Sequence, residues 1–219
     1  MSLDLLGQLM AGAKKADILD GITENVVILD INNKTRKNKD GDKVNRNTYI
    51  KFGKLGDDST VVAEKEVSWF DIKHDSEYAY DNLFEQLFQM TTIAEALVSE
   101  KAIDKAFNEI FEAEEIESVE DLQDAAKNKS KLKDLMDGLI EAFVELLSDE
   151  VGPKSQKLRL KLTYDTKGKY IQQPKYGQFV ESMEVDEKES RLRISSKEEE
   201  YSNVAKNPSP GINPMSINI

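Results

Sequence analysis

KLRLKLTY, running from Lys157 to Tyr164, alternates apolar and polar residues along its length. Successive side chains of an extended chain point to opposite faces, so Leu158, Leu160, Leu162 and Tyr164 share one side and Lys157, Arg159 and Lys161 the other. The stretch reads as a strand with one face for a core and one row of cations. That row is unexpected in a chain of 219 residues with a net charge of −12.

The charge is unevenly spread. Residues 75–152 hold 21 acids against 6 Lys and no Arg, a net of −15, which leaves the rest of the chain at +3. Residues 34–54 carry 8 bases and 2 acids, and residues 153–180 carry 7 bases and 1 acid, so each is +6. Distribution governs anion binding more than the total does.

Cysteine is absent, which removes thiol catalysis, cysteinyl metal sites and disulfides, and fits a reducing compartment. No apolar run approaches roughly 18 residues, so no membrane span is expected. The opening MSLDLLGQLMAGAKKADILDG places its lysines after the apolar residues, which is the wrong charge order for a secretory signal. A soluble protein is expected.

Upstream of Lys157 the pattern changes twice. Leu5, Leu6, Leu9 and Met10 sit near helical spacing, predicting a short N-terminal amphipathic helix within residues 1–21. ENVVILDINN (24–33), RNTYIKFGKLG (46–56) and VVAEKEVSWFDI (61–72) read as three strands of a meander, the first two joined through the turn signal Asp40-Gly41. In the second strand Ile50 and Phe52 fall on one face and Tyr49 and Lys51 on the other.

From about Asp75 the period becomes helical. Leu83, Leu87, Met90, Ala94 and Leu97 recur at three- and four-residue steps, as do Leu132, Leu135, Leu139, Phe143 and Leu146. Ser118 to Asp121 resembles a capping box ahead of Leu122, and three or four helices are expected before Gly152-Pro153 closes the block. Downstream, a hairpin is expected around Thr166-Lys167-Gly168, with one or two further strands across QFVESMEV (178–185) and SRLRIS (190–195). Residues 196–219, rich in Pro, Asn and Ser, are expected to form a flexible tail.

This order predicts an α+β, mainly β fold: an OB-fold-like five-stranded barrel over residues 22–195, with a large acidic helical insertion, residues 75–152, between strands 3 and 4. A generic α+β domain with the same element order is the competing architecture. An OB barrel binds nucleic acid largely on strands 2 and 3 and their flanking loops. Single-stranded nucleic acid needs cations for phosphates and aromatic planes for bases. Arg36, Lys37, Lys39, Arg46, Lys51 and Lys54 supply the first ingredient, with Tyr49 and Trp69 interleaved. Arg159, Lys161, Lys169 and Lys175, near Tyr170 and Tyr176, repeat the combination. The plainer alternative makes these lysines solvated strand faces and Trp69 and Tyr164 core residues.

TRKNKDGDKVNRNTYIKFGKLG (35–56), VVAEKEVSWFDI (61–72) and KLRLKLTYDTKGKYIQQPKYGQFVESMEV (157–185) resemble single-stranded-DNA-binding proteins of tailed bacteriophages, especially the crAss-like group. The resemblance covers about residues 22–195. It implies an OB-type fold, sequence-tolerant binding of single-stranded DNA, and a role in phage DNA replication or recombination in the cytoplasm of the infected bacterial host. It also implies replication or recombination proteins as partners. Such proteins often end in an acidic tail finished by apolar residues, whereas here Glu198 to Glu200 stand well before the terminal PMSINI.

Catalytic signals are poor, and no enzyme, cofactor or metal is expected. Asp71, His74 and Asp75 read as residues at a helix start. Asp40 and Asp42 do not continue into a calcium loop, and FGKLGDDST lacks the phosphate-loop order. A virion or interaction protein, using the acidic helices as a partner surface or DNA mimic, is the alternative function. A carboxylate-based nuclease is a third and weaker reading.

Overall fold

Alternating apolar residues in the first third of the chain bury one face of an antiparallel meander. The computed structural model describes residues 16–37, 44–70, 72–174 and 177–206, with the backbone alone at 16–17, 33–37, 44–47, 70, 204 and 206. Strands Gly21–Lys37 (β2), Val44–Leu55 (β3) and Val61–Phe70 (β4) lie side by side, after a two-residue strand Ala16–Asp17 (β1) that runs parallel to β4. The register aligns Ile31 with Ile50 and Ile50 with Val67, so the β-branched residues stack across the sheet.

β2 is irregular between Thr23 and Val26 and again between Ile28 and Asp30. Such bulges bend a strand and increase its twist, and they let β2 serve two partners in turn. Its first part pairs with Leu158–Tyr164 (β5) and its remainder with β3. Short strands Ile171–Gln172 (β6) and Val180–Ser182 (β7) line the far edge of β5. The result is an α+β molecule built on a curled antiparallel half-barrel, consistent with an OB-like fold.

Four helices follow β4: Ala79–Glu95 (α1), Glu100–Ala113 (α2), Val119–Lys127 (α3) and Lys129–Leu146 (α4). The Ser118 hydroxyl accepts from the Asp121 amide at 3.2 Å, and the Asn128 carboxamide accepts from the Ser130 and Lys131 amides. Those caps satisfy donors that a helix start leaves unpaired. Leu83, Met90 and Ile93 of α1 and Leu135, Leu139 and Phe143 of α4 belong to the same buried cluster as Ile28, Ile50, Phe52 and Val67 of the sheet. Phe143 meets Trp69 edge-on, with ring centroids 5.9 Å apart. The helices therefore share one core with the sheet.

Two expectations are corrected, at the two ends of the chain. Residues 16–17 are strand and Ile18 is buried against the sheet, so no helix continues to residue 21; residues 1–15 lie outside those described. Of the one or two strands expected across 178–195, one forms, β7, and residues 190–195 form none. Ser196–Lys206 is a helix (α5) packed on β5, where a flexible tail was expected; residues 207–219 lie outside the described chain. Polar composition hid α5, because what holds it is a pair of polar contacts to distant residues: Lys161 with Glu198, and Ser202 with Asp20. Among the described residues no helix is long and apolar enough to cross a membrane.

Candidate nucleic-acid interface

β5 is covered on both faces, so Arg159 and Lys161 of KLRLKLTY are not part of the open row its alternation suggested, while Lys157, just before the strand, is exposed. Arg159 is 7% exposed. Its cross-strand neighbour on β7 is Glu181, whose carboxylate accepts from Nη1 at 3.0 Å, while Nη1 also donates to the Val185 carbonyl. The β2 bulge brings in Glu24, which accepts from Nε at 3.3 Å. Lys161, 5% exposed, donates to Glu198 of α5 and to the Arg193 carbonyl. A charge leaves water only where partners replace its hydration, and here three glutamates from three elements do so.

These contacts set the ionisation of the acids. Burial opposes ionisation of Glu181, but the Arg191 amide, the Ser190 hydroxyl and the Arg159 guanidinium outweigh it and hold the pKa below the ordinary glutamate value. Glu198 behaves alike: burial opposes, while the Ser195 amide and the Lys161 ammonium prevail. A carboxyl with a depressed folded pKa contributes stability above its unfolded pKa and loses that contribution as pH falls through the folded one. Stability is therefore expected to hold from neutral pH to about 5 and to decline below it. Urea midpoints at about pH 7, 5, 4 and 3 check this. An identical decline in the Glu181→Gln/Glu198→Gln variant would place the acid-labile groups elsewhere.

Tyr49 and Trp69 are likewise engaged. Tyr49 points away from Ile50 and Phe52 as expected, yet it is only 7% exposed, and its hydroxyl donates to Asp30 at 2.9 Å. Trp69 is 3% exposed and donates its indole N–H to Gln89 at 2.9 Å. Little of the ring is open to solvent. Lys51 pairs with Glu64 across β3 and β4. Lys54, Lys169 and Tyr170 do face solvent, Tyr170 at 70% exposure. The turn carrying the last two is fixed by the Asp165 carboxylate, which accepts from the Lys169 and Tyr170 amides.

Lys39, Lys175 and Tyr176 lie outside the described residues, and Arg36, Lys37 and Arg46 are described by backbone alone. Their backbone position is informative. β4 ends where Phe70 pairs with Asn47, but β2 and β3 continue pairing through Thr35 with Arg46, Arg36 with Asn45 and Lys37 with Val44. A two-stranded ribbon rich in Lys and Arg thus runs on past the sheet.

A cavity of about 570 Å³ opens beside the root of that ribbon. The end of β4 gives Ser68 and Trp69, α1 gives Asn82, Glu85, Gln86 and Gln89, the connection between them gives Ile72, Lys73 and Ser76, and the chain at β6 gives Gln172 and Gln173. Gln89 is its buried keystone: Oε1 accepts from Trp69 and Gln173, and Nε2 donates to the Pro174 carbonyl. The sequence reading missed this site. Its signal was the spacing of Asn82, Gln86 and Gln89 along one face of α1, together with Gln172-Gln173 after the hairpin. Among the described residues no group of three or more His, Asp and Glu is placed to hold a metal ion. No protein-family model, curated protein or solved structure matches this chain.

Proposed function

We propose that this chain binds single-stranded DNA without sequence preference, and that the β2–β3 ribbon is its main phosphate contact. The observation that carries this reading is the +6 stretch at residues 34–54, whose strands continue past the end of β4, while the net negative charge of the chain is concentrated in residues 75–152. The turn at 165–170 adds Lys167, Lys169 and the exposed ring of Tyr170, a platform on which a base can stack. We read the scaffold as an OB-type barrel whose acidic helices are inserted between its third and fourth strands, and whose negative surface disfavours DNA on that side. The sequence resemblance adds the setting: phage DNA replication or recombination, in the host cytoplasm.

The test is a titration with single-stranded DNA, single-stranded RNA and duplex of matched length at several salt concentrations. Single-stranded DNA should bind tightest, with log affinity falling linearly against log salt. Absence of retention on single-stranded DNA at low salt overturns the reading.

One observation favours an interaction protein instead. Tyr80, Phe84 and Phe88 follow one another at four-residue steps along α1, with centroids 6.4 and 6.5 Å apart, and Phe84 is 47% exposed. Asp81 and Glu85 flank that stripe on the same helix, so a basic, apolar partner would fit it better than DNA.

A further inference from the structure

We infer that the carboxamide-lined cavity receives one unstacked base of the bound strand, of any identity; this rests on the nucleic-acid reading above. Position is the first argument. Asn47 pairs with Phe70 on one side and with Lys34 on the other, and Phe70 directly follows Trp69 in the cavity wall. With strands about 4.8 Å apart, the Lys34 backbone lies two strands, roughly 10 Å, from β4. A strand whose phosphates follow the ribbon therefore passes close to the cavity mouth.

Chemistry is the second. A pocket for phosphate would gather cations, but of the residues lining this one only Lys73 is basic, and Glu85 opposes it. The polar lining is instead carboxamide and hydroxyl: Asn82, Gln86, Gln89, Gln172, Gln173 and Ser68 among them. Each carboxamide carries both a donor and an acceptor, and those of Asn82 and Gln172 can turn over to exchange them. The polar edges of the bases differ in their order of donors and acceptors, so a lining that can present either discriminates weakly among them. Trp69 and Ile72 give the cavity its apolar wall, and its volume falls within the range of small-molecule sites, about 300–1,000 Å³. Gln89 is committed to Trp69 and Pro174, which makes it a positioning residue that holds the wall together.

Trp69 is the chain's single tryptophan, so its emission reports on the cavity directly. Two end-labelled strands with equal numbers of phosphates should be compared on the full-length protein, one of oligo-dT and one wholly abasic. Label anisotropy reads binding, and Trp69 emission reads occupancy. Both strands should bind with the same salt slope, but oligo-dT alone should change the emission. Asn82→Ala/Gln172→Ala should weaken oligo-dT roughly tenfold, as expected for two lost hydrogen bonds, and leave the abasic strand unaffected. Oligo-dA and oligo-dC should match oligo-dT within about threefold. If both strands bind yet change the emission equally, or neither changes it, the cavity holds no base while phosphate binding stands. If neither strand binds at low salt, the nucleic-acid reading itself fails and this inference with it.

Discussion

Replacing Arg36, Lys37 and Arg46 together by alanine is expected to weaken single-stranded DNA binding on the order of a hundredfold at about 50 mM salt. Each phosphate neutralised by Lys or Arg releases condensed counterions, contributing roughly 0.7 to the slope of log affinity against log salt for a single strand. Losing three contacts should therefore flatten that slope by about 2. The loss should be equal for all sequences, because phosphates carry no base identity. Thermal stability should stay close to the parent's, since these positions lie on the ribbon beyond the last β4 pair. Fluorescence anisotropy at four salt concentrations, with a melting curve on the same preparation, measures all three quantities. A folded triple variant with the parent's slope would show that the ribbon does not carry the DNA.

Removing a buried counter-ion has the opposite signature: a large effect on folding. Glu181→Ala should destabilise the protein by about 3–5 kcal/mol, because it leaves the Arg159 guanidinium buried beside β7 without its nearest carboxylate. Half-exposed Glu24, at 3.3 Å from Nε, cannot compensate fully. The Arg191 amide loses its acceptor as well. Arg159→Met/Glu181→Met should recover much of the loss, since a packed apolar pair avoids the desolvation cost altogether. Urea unfolding of the parent, the single and the double variant decides the matter. A single variant within about 1 kcal/mol of the parent would mean that water reaches Arg159 and that the pair contributes as little as a surface bridge.

The same pair explains how an acidic protein comes to carry KLRLKLTY. Alternation correctly grouped Leu158, Leu160 and Leu162, all of which are buried in the core. It could not reveal that the cationic face is also closed at Arg159 and Lys161, because the closing groups come from elsewhere in the chain. Glu24 stands 135 residues from Arg159, and Glu181 stands 22 away.

Elements that depend on neighbours a few residues away were legible in advance. Period two placed β3 and β4, period 3.6 placed α1 and α4, and Ser118 announced the start of α3, since pleat, helix turn and cap are local geometries. What long-range pairing assembles was not legible. Gln89 meets Pro174 across 85 positions and Gln173 across 84, and these contacts assemble a cavity that no segment announces alone. Ser202 meets Asp20 across 182 positions, turning a polar segment into a docked helix. Tyr49 and Trp69 show the same division within single residues. Their strand faces followed from alternation, but whether each ring stays open to a base depends on Asp30 and Gln89, 19 and 20 positions away, and on how those side chains exclude water.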